Sequence, residues 1–83
     1  MTTVDQVAAT AVSALGTIEV EVSAAGFVTG VRLHRDEARR WSSWLFGDRV
    51  VDVARVAHDR FRCAQVGTPS PGEVAAREQK LRF

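Results

Sequence analysis

Three side chains in this sequence have the chemistry of soft metal ligands or nucleophiles: His34, His58 and Cys63. On a helix, His58 and Cys63 would sit about 140° apart around the axis, too far round to share one ion. His34 falls in a different element. A reactive cysteine needs a base and electropositive surroundings, whereas Cys63 follows an apolar helical stripe and reads as structural. Asp36 and Glu37 are adjacent carboxylates. A general acid and base need environments that push their pKa values apart, and a polar link offers no such contrast. Gly26 and Gly30 are isolated, and no phosphate-cradling glycine loop, dinucleotide fingerprint or nucleophile elbow is present. The expectation is a non-enzyme: no catalytic residue, no cofactor, no metal and no small-molecule substrate.

The remaining chemistry is basic and aromatic. Arg35, Arg39 and Arg40 adjoin Trp41, with Arg32 just upstream. Guanidiniums beside an indole can contact phosphates and stack on bases. They can equally be a solvated link balanced by Asp36 and Glu37. Eleven Lys and Arg against ten Asp and Glu give a net charge of +1, too little to announce a nucleic acid or a membrane. Trp41, Trp44 and Phe46 either fill the core or stand exposed as anchors for a protein partner, since Trp is favoured at binding hot spots.

The elements that would position these residues are legible in the apolar spacing. Ile18, Val20 and Val22 alternate with Glu19, Glu21 and Ser23, the period of a half-buried strand. Ala24-Ala25-Gly26 breaks the run. Phe27, Val31 and Leu33 resume it, with Arg32 and His34 on the other side, so residues 17–34 read as a hairpin. Upstream, Thr3 as N-cap with Gln6 and the spacing of Val4, Val7, Ala8, Ala11 and Leu15 predict a short helix over 1–16, stopped by Gly16. Residues 35–47 read as a link, with 38–46 open between helix and loop and Gly47 interrupting.

From Asp48 to Val66 the pattern is helical. Val50, Val53, Ala54, Ala57, Phe61 and Ala64 form one stripe. Arg49, Asp52, Arg55, Asp59 and Arg62 lie opposite, where Arg55–Asp59 and Asp59–Arg62 have pairing distances. Val51 and Val56 sit off the stripe and read as material for a second contact. Gly67-Thr68-Pro69 ends the helix. Ser70-Pro71-Gly72-Glu73 starts another, with Ser70 as N-cap, Pro71 first and Glu73 returning, anchored by Val74 and Leu81.

Eighty-three residues, 46% of them hydrophobic and 25% charged, make one α+β domain of marginal size. One cysteine allows no internal disulfide, so oligomerisation is a natural route to further burial. No apolar run is long enough to span a membrane, and the N-terminus lacks the basic start of a signal peptide. A cytoplasmic protein is expected.

The block GTIEVEVSAAGFVTGVRLHRDEA, followed by DRVVDVARVAHDRFRCAQ, resembles the YbaB/EbfC family of small dimeric nucleoid-associated proteins. A closer likeness is to the YbaB-like domains of actinobacterial ESX (type VII secretion) accessory proteins of the EspH and EspD kind. Their helix carries a run similar to Val51-Asp52-Val53-Ala54-Arg55. Their Pro-rich segment is similar to Thr68-Pro69-Ser70-Pro71-Gly72-Glu73-Val74-Ala75-Ala76. The chain has no tyrosine, so it cannot carry the Y-x-x-x-D/E export signal of type VII substrates. The resemblance implies a cytosolic, chaperone-like accessory factor that binds another protein as a homodimer, with the sheet shared across the two-fold axis. The dimer would use Val20, Val22, Val31, Val51 and Val56, and the partner would meet Trp41, Trp44 or Phe46. The alternative it implies is a largely nonspecific DNA binder, with Arg32, Arg35, Arg39 and Arg40 on phosphates.

Overall fold

The computed structural model of the chain describes residues 6–83. Three strands, β1 (Val7–Val12), β2 (Ile18–Ser23) and β3 (Val28–Leu33), form an antiparallel meander in the order β1-β2-β3. A 3-10 turn over Asp36–Arg40 leads into α1 (Ser43–Val66), and α2 (Pro71–Gln79) follows. The fold is α+β, with α1 laid across β1 and β2 and α2 packed on α1.

The hairpin appears where the alternation places it. Ile18, Val20 and Val22 are completely buried beneath α1. Glu19 and Glu21 point to the opposite face, where they pair with His34 and Arg32. Ser23 is buried at the strand's end and accepts hydrogen bonds from the turn residues Ala25 and Phe27. Gly26, at φ 88°, supplies the left-handed conformation that few other residues adopt without cost. The register shifts between Glu21 and Val22, so β3 carries a bulge at its start and Phe27 stays outside the strand, exposed.

Among the described residues, the N-terminal helix expected over 1–16 is not formed. Val7–Val12 is a strand instead; Thr3 and Val4 lie outside the described residues. The physical reason is the free edge of β2. Pairing Ala11 with Val20 and Ala9 with Val22 satisfies the β2 backbone and buries both alanines beneath α1. Small residues there let α1 approach the sheet closely, while β-branched Val7, Thr10 and Val12 suit a pleated surface. Gly16, at φ 79°, therefore serves the β1–β2 turn and caps no helix.

Helix α1 begins five residues before Asp48. The Ser42 hydroxyl accepts from Leu45 N at 3.1 Å, an N-cap that satisfies an otherwise orphan donor. Gly47 sits inside the first turns, exposed with open space around it, and does not interrupt. Val53, Val56 and Ala57 are the buried face of α1. Val56 is thus core and not spare surface. Ala64 is exposed, so the apolar stripe stops a turn early. Asp59 makes neither expected pair along the helix; it accepts from Arg77 of α2 at 2.7 Å. The second helix start holds as read. Ser70 and Glu73 complete a reciprocal capping box, Val74 is buried, and Leu81 packs against the core beyond the helix end.

Candidate interaction surface

An edge strand exposes every second backbone N–H and C=O. The two edges of this sheet are treated differently. On β1, Ser13 N donates to Ile18 O at 2.9 Å. The alternation then aims Ala9 and Ala11 at β2 and turns Thr10 and Val12 outward. Each outward residue has one of its two backbone groups capped. Arg60 of α1 donates from Nη1 to Thr10 O at 2.7 Å, and Val12 N donates to Glu78 Oε2 of α2 at 2.9 Å. Arg60 also forks onto Glu78, at 3.0 Å and 3.2 Å. Burial pushes the Glu78 carboxyl pKa up, but hydrogen bonds from Arg60 and Val12, with the guanidinium charge, outweigh it and hold the pKa below the usual value.

On β3, His34 N donates to Thr17 O at 2.9 Å. Arg32 and Gly30 therefore face β2, and Val31 and Leu33 turn their backbone groups outward. Among the described residues, no side chain or backbone group bonds them. The same residues carry an uncovered apolar row. Leu33 pairs with Ile18, Val31 with Val20 and Val28 with Val22, and paired residues share a face. The β2 members are fully buried, yet Leu33, Val31 and Val28 remain 46%, 43% and 51% exposed. The cause is the placement of α1 over β1 and β2, which leaves β3 without a lid.

Between β3 and α1 lies an open cavity of about 430 Å³, lined by Val28, Val51, Ala54, Arg55, His58 and Asp59. Val51 is half exposed at its wall. Trp44 stands seven residues before Val51 on the same helix and is 77% exposed. Its neighbours in the expected anchor set are occupied differently. Trp41 meets the Phe83 ring edge-on at 5.8 Å, and the Arg49 guanidinium lies 4.3 Å from its centroid. Phe46 is half buried. Of the five valines read as a dimer surface, Val20, Val22 and Val56 are consumed by the chain's own core, and only Val31 and Val51 face outward.

The arginines are mostly engaged. Arg32 pairs with Glu21 at 3.1 Å, Arg35 with Glu37 at 2.7 Å, and Arg39 approaches Asp36 at 4.0 Å. Arg40 is exposed. His34 Nε2 meets Glu19 at 2.7 Å. His58 is exposed at the cavity, and Cys63 is half buried against the core. The three residues do not converge, and among the described residues no group of three His, Cys, Asp or Glu is placed to hold a metal. No described helix is long and apolar enough to cross a membrane.

Sequence reasoning missed Arg60 and Glu78. They stand 18 positions apart on different helices, a separation that carries no local signal. It also missed the meaning of Gly30. A Cβ there would lie 2.7 Å from Glu21 Oε1, and a glycine inside a strand is a mark of close approach. The described residues form an α+β domain of three antiparallel strands and two α-helices, with one clamped and one open sheet edge. Comparison with known protein families, curated proteins and solved structures finds no match to this chain.

Proposed function

We propose that this chain is a non-enzymatic protein-binding module whose recognition surface is the β3 edge and the apolar row beside it. The observation that carries this reading is the contrast between the edges. The chain commits two charged side chains to sealing β1 and leaves β3 open, flanked by half-exposed Val28, Val31 and Leu33. Exposed edges are ordinarily blunted because they pair with other chains, so an open, apolar-lined edge suits strand addition. Trp44 and Val51 extend the same apolar surface along α1. The resemblance of the blocks within residues 16–76 to ESX-associated domains supports a cytoplasmic, chaperone-like role in type VII secretion, with a homodimer as the working form.

A DNA-binding role would need Arg32, Arg35, Arg39 and Arg40 free for phosphates. Three of the four face carboxylates instead, which breaks any continuous basic ridge. The test uses Val31→Lys, which places a charge on the open edge without touching the β2–β3 ladder. The expected result is a defined protein partner that survives rising salt with the wild type and is lost with Val31→Lys. Equal partner binding by both proteins sinks the reading. So does duplex DNA binding that falls steeply as salt is raised, the mark of phosphate contacts.

A further inference from the structure

The open edge of β3 is complementary to itself in one register, and we infer that its occupant is a second copy of this chain, paired Val31 to Val31 across a two-fold axis. This inference rests on the reading of β3 as the recognition edge and adds what sits there and how.

The argument begins with direction. Val31 turns its N–H and C=O outward, so a two-fold axis beside it lets two copies exchange both bonds, as opposed residues do in an antiparallel ladder. Thr29–Leu33 then overlaps its copy in full. The alternatives are worse. Centring on Arg32 sets two guanidiniums directly opposite, which is destabilising. Centring on Leu33 runs past the strand's end and sets Arg32 opposite His34. Centring on Gly30 sets Arg32 against Val28 at the bulge.

In the Val31-centred register, Arg32 of the second copy falls opposite Gly30. That position has no side chain, and its space holds the Glu21 carboxylate, with Oε1 where a Cβ would intrude at 2.7 Å. The incoming guanidinium therefore meets a carboxylate. Glu21 already forms an ion pair with its own Arg32 through Oε2 at 3.1 Å, which leaves Oε1 for the second copy. The Arg32 side chain is 61% exposed, so its fork has donors to spare. Symmetry doubles the contact into a closed ring of two Glu21 and two Arg32. On the other face, Val31 meets Val31 and Leu33 meets Thr29, beside the apolar cavity under α1.

The test reads mass and proximity together. In a Cys63→Ala background, Val31→Cys is expected to be bridged into a covalent dimer by a short thiol-to-thiol crosslinker. Ala25→Cys, at the far turn, is expected not to be, because about three strand steps on each side, at about 3.3 Å per residue, already set the two turns more than about 20 Å apart. By sedimentation the wild type is expected to be a dimer. Arg32→Glu should raise the dimer dissociation constant about ten-fold or more, the sum of two opposed pairs turned repulsive. Glu21→Arg combined with Arg32→Glu should restore it. A dimer in which Ala25→Cys crosslinks and Val31→Cys does not overturns this register. A monomeric wild type whose protein partner is still lost with Val31→Lys overturns the second copy as occupant and leaves the edge reading standing. A monomer in which Val31→Lys changes nothing overturns both.

Discussion

Replacing Glu78 with alanine should cost about 2 kcal/mol of stability, and the reasoning is exposed to a simple melt. The carboxylate accepts three hydrogen bonds: one from Val12 N and two from the Arg60 fork. Each hydrogen bond to a charged group contributes about 1.5–3 kcal/mol net when water is kept away. Water is only partly kept away here, because the Arg60 and Glu78 side chains are 35% and 20% exposed. Screening and rehydration therefore reduce the sum towards the value of a single well-shielded bond. For a domain of this size, about 2 kcal/mol corresponds to a melting temperature lower by about 8–16 °C. The assay is thermal unfolding followed by circular dichroism at neutral pH. Glu37→Ala breaks the exposed Arg35–Glu37 pair and serves as control, with an expected change under about 0.5 kcal/mol. Adding Arg60→Met to Glu78→Ala should cost less than the two single changes summed, because the unpaired guanidinium is then removed. A shift for Glu78→Ala of under about 2 °C would refute the reasoning, since the clamp would then be a surface ion pair with Val12 already hydrated.

The same carboxylate gives a pH prediction. Its folded pKa lies below the ordinary 4.5, so its stabilisation is complete above about pH 4.5 and is lost as pH falls through the folded value. The wild type's advantage over Glu78→Gln, measured in urea, should be flat from neutral pH down to that point and shrink below it. Ser70→Ala removes the hydroxyl that accepts from Glu73 N at 3.3 Å and should cost about 1 kcal/mol by denaturant unfolding. The two tryptophans should separate cleanly. Trp41→Ala empties a site packed by Phe83 and Arg49 and should cost about 2 kcal/mol, half the loss of a fully buried ring. Trp44→Ala should change stability by under about 0.5 kcal/mol and act only on partner binding.

The sequence made the hairpin and the capped second helix legible because each is written in neighbouring residues. Period-two alternation needs only Ile18 to Val22, and a capping box needs only Ser70 to Glu73. The first strand was misread because Val7, Ala8, Ala11 and Leu15 satisfy helical spacing as well as a strand does, and only the unpaired edge of β2 decides between them. The start of α1 was hidden by Gly47, a weak helix former whose cost of about 1 kcal/mol is outweighed by the Ser42 cap and by packing. The candidate surface was half legible. Val20, Val22, Val31, Val51 and Val56 read alike as a dimer surface, and of the five Val31 and Val51 face outward. Val20, Val22 and Val56 were not recognisable as core, since alternation says that one face is buried and does not say how far a helix covers it. The Arg60–Glu78 clamp depends on α2 folding back over α1, which no local pattern encodes.

That clamp also sets how many links each molecule can form. In the language of polymer chemistry, a building block with one reactive end stops at a pair, and one with two ends grows without limit. Strand pairing is such a linkage, and the sheet has two ends at which it can occur. Arg60 and Glu78 occupy the β1 end, so the functionality of the unit is one. Glu78→Ala frees Val12 N, and adding Arg60→Met frees Thr10 O, which together raise that functionality to two. The double variant becomes a chain-propagating monomer, whose mean mass climbs with concentration where the wild type's levels off.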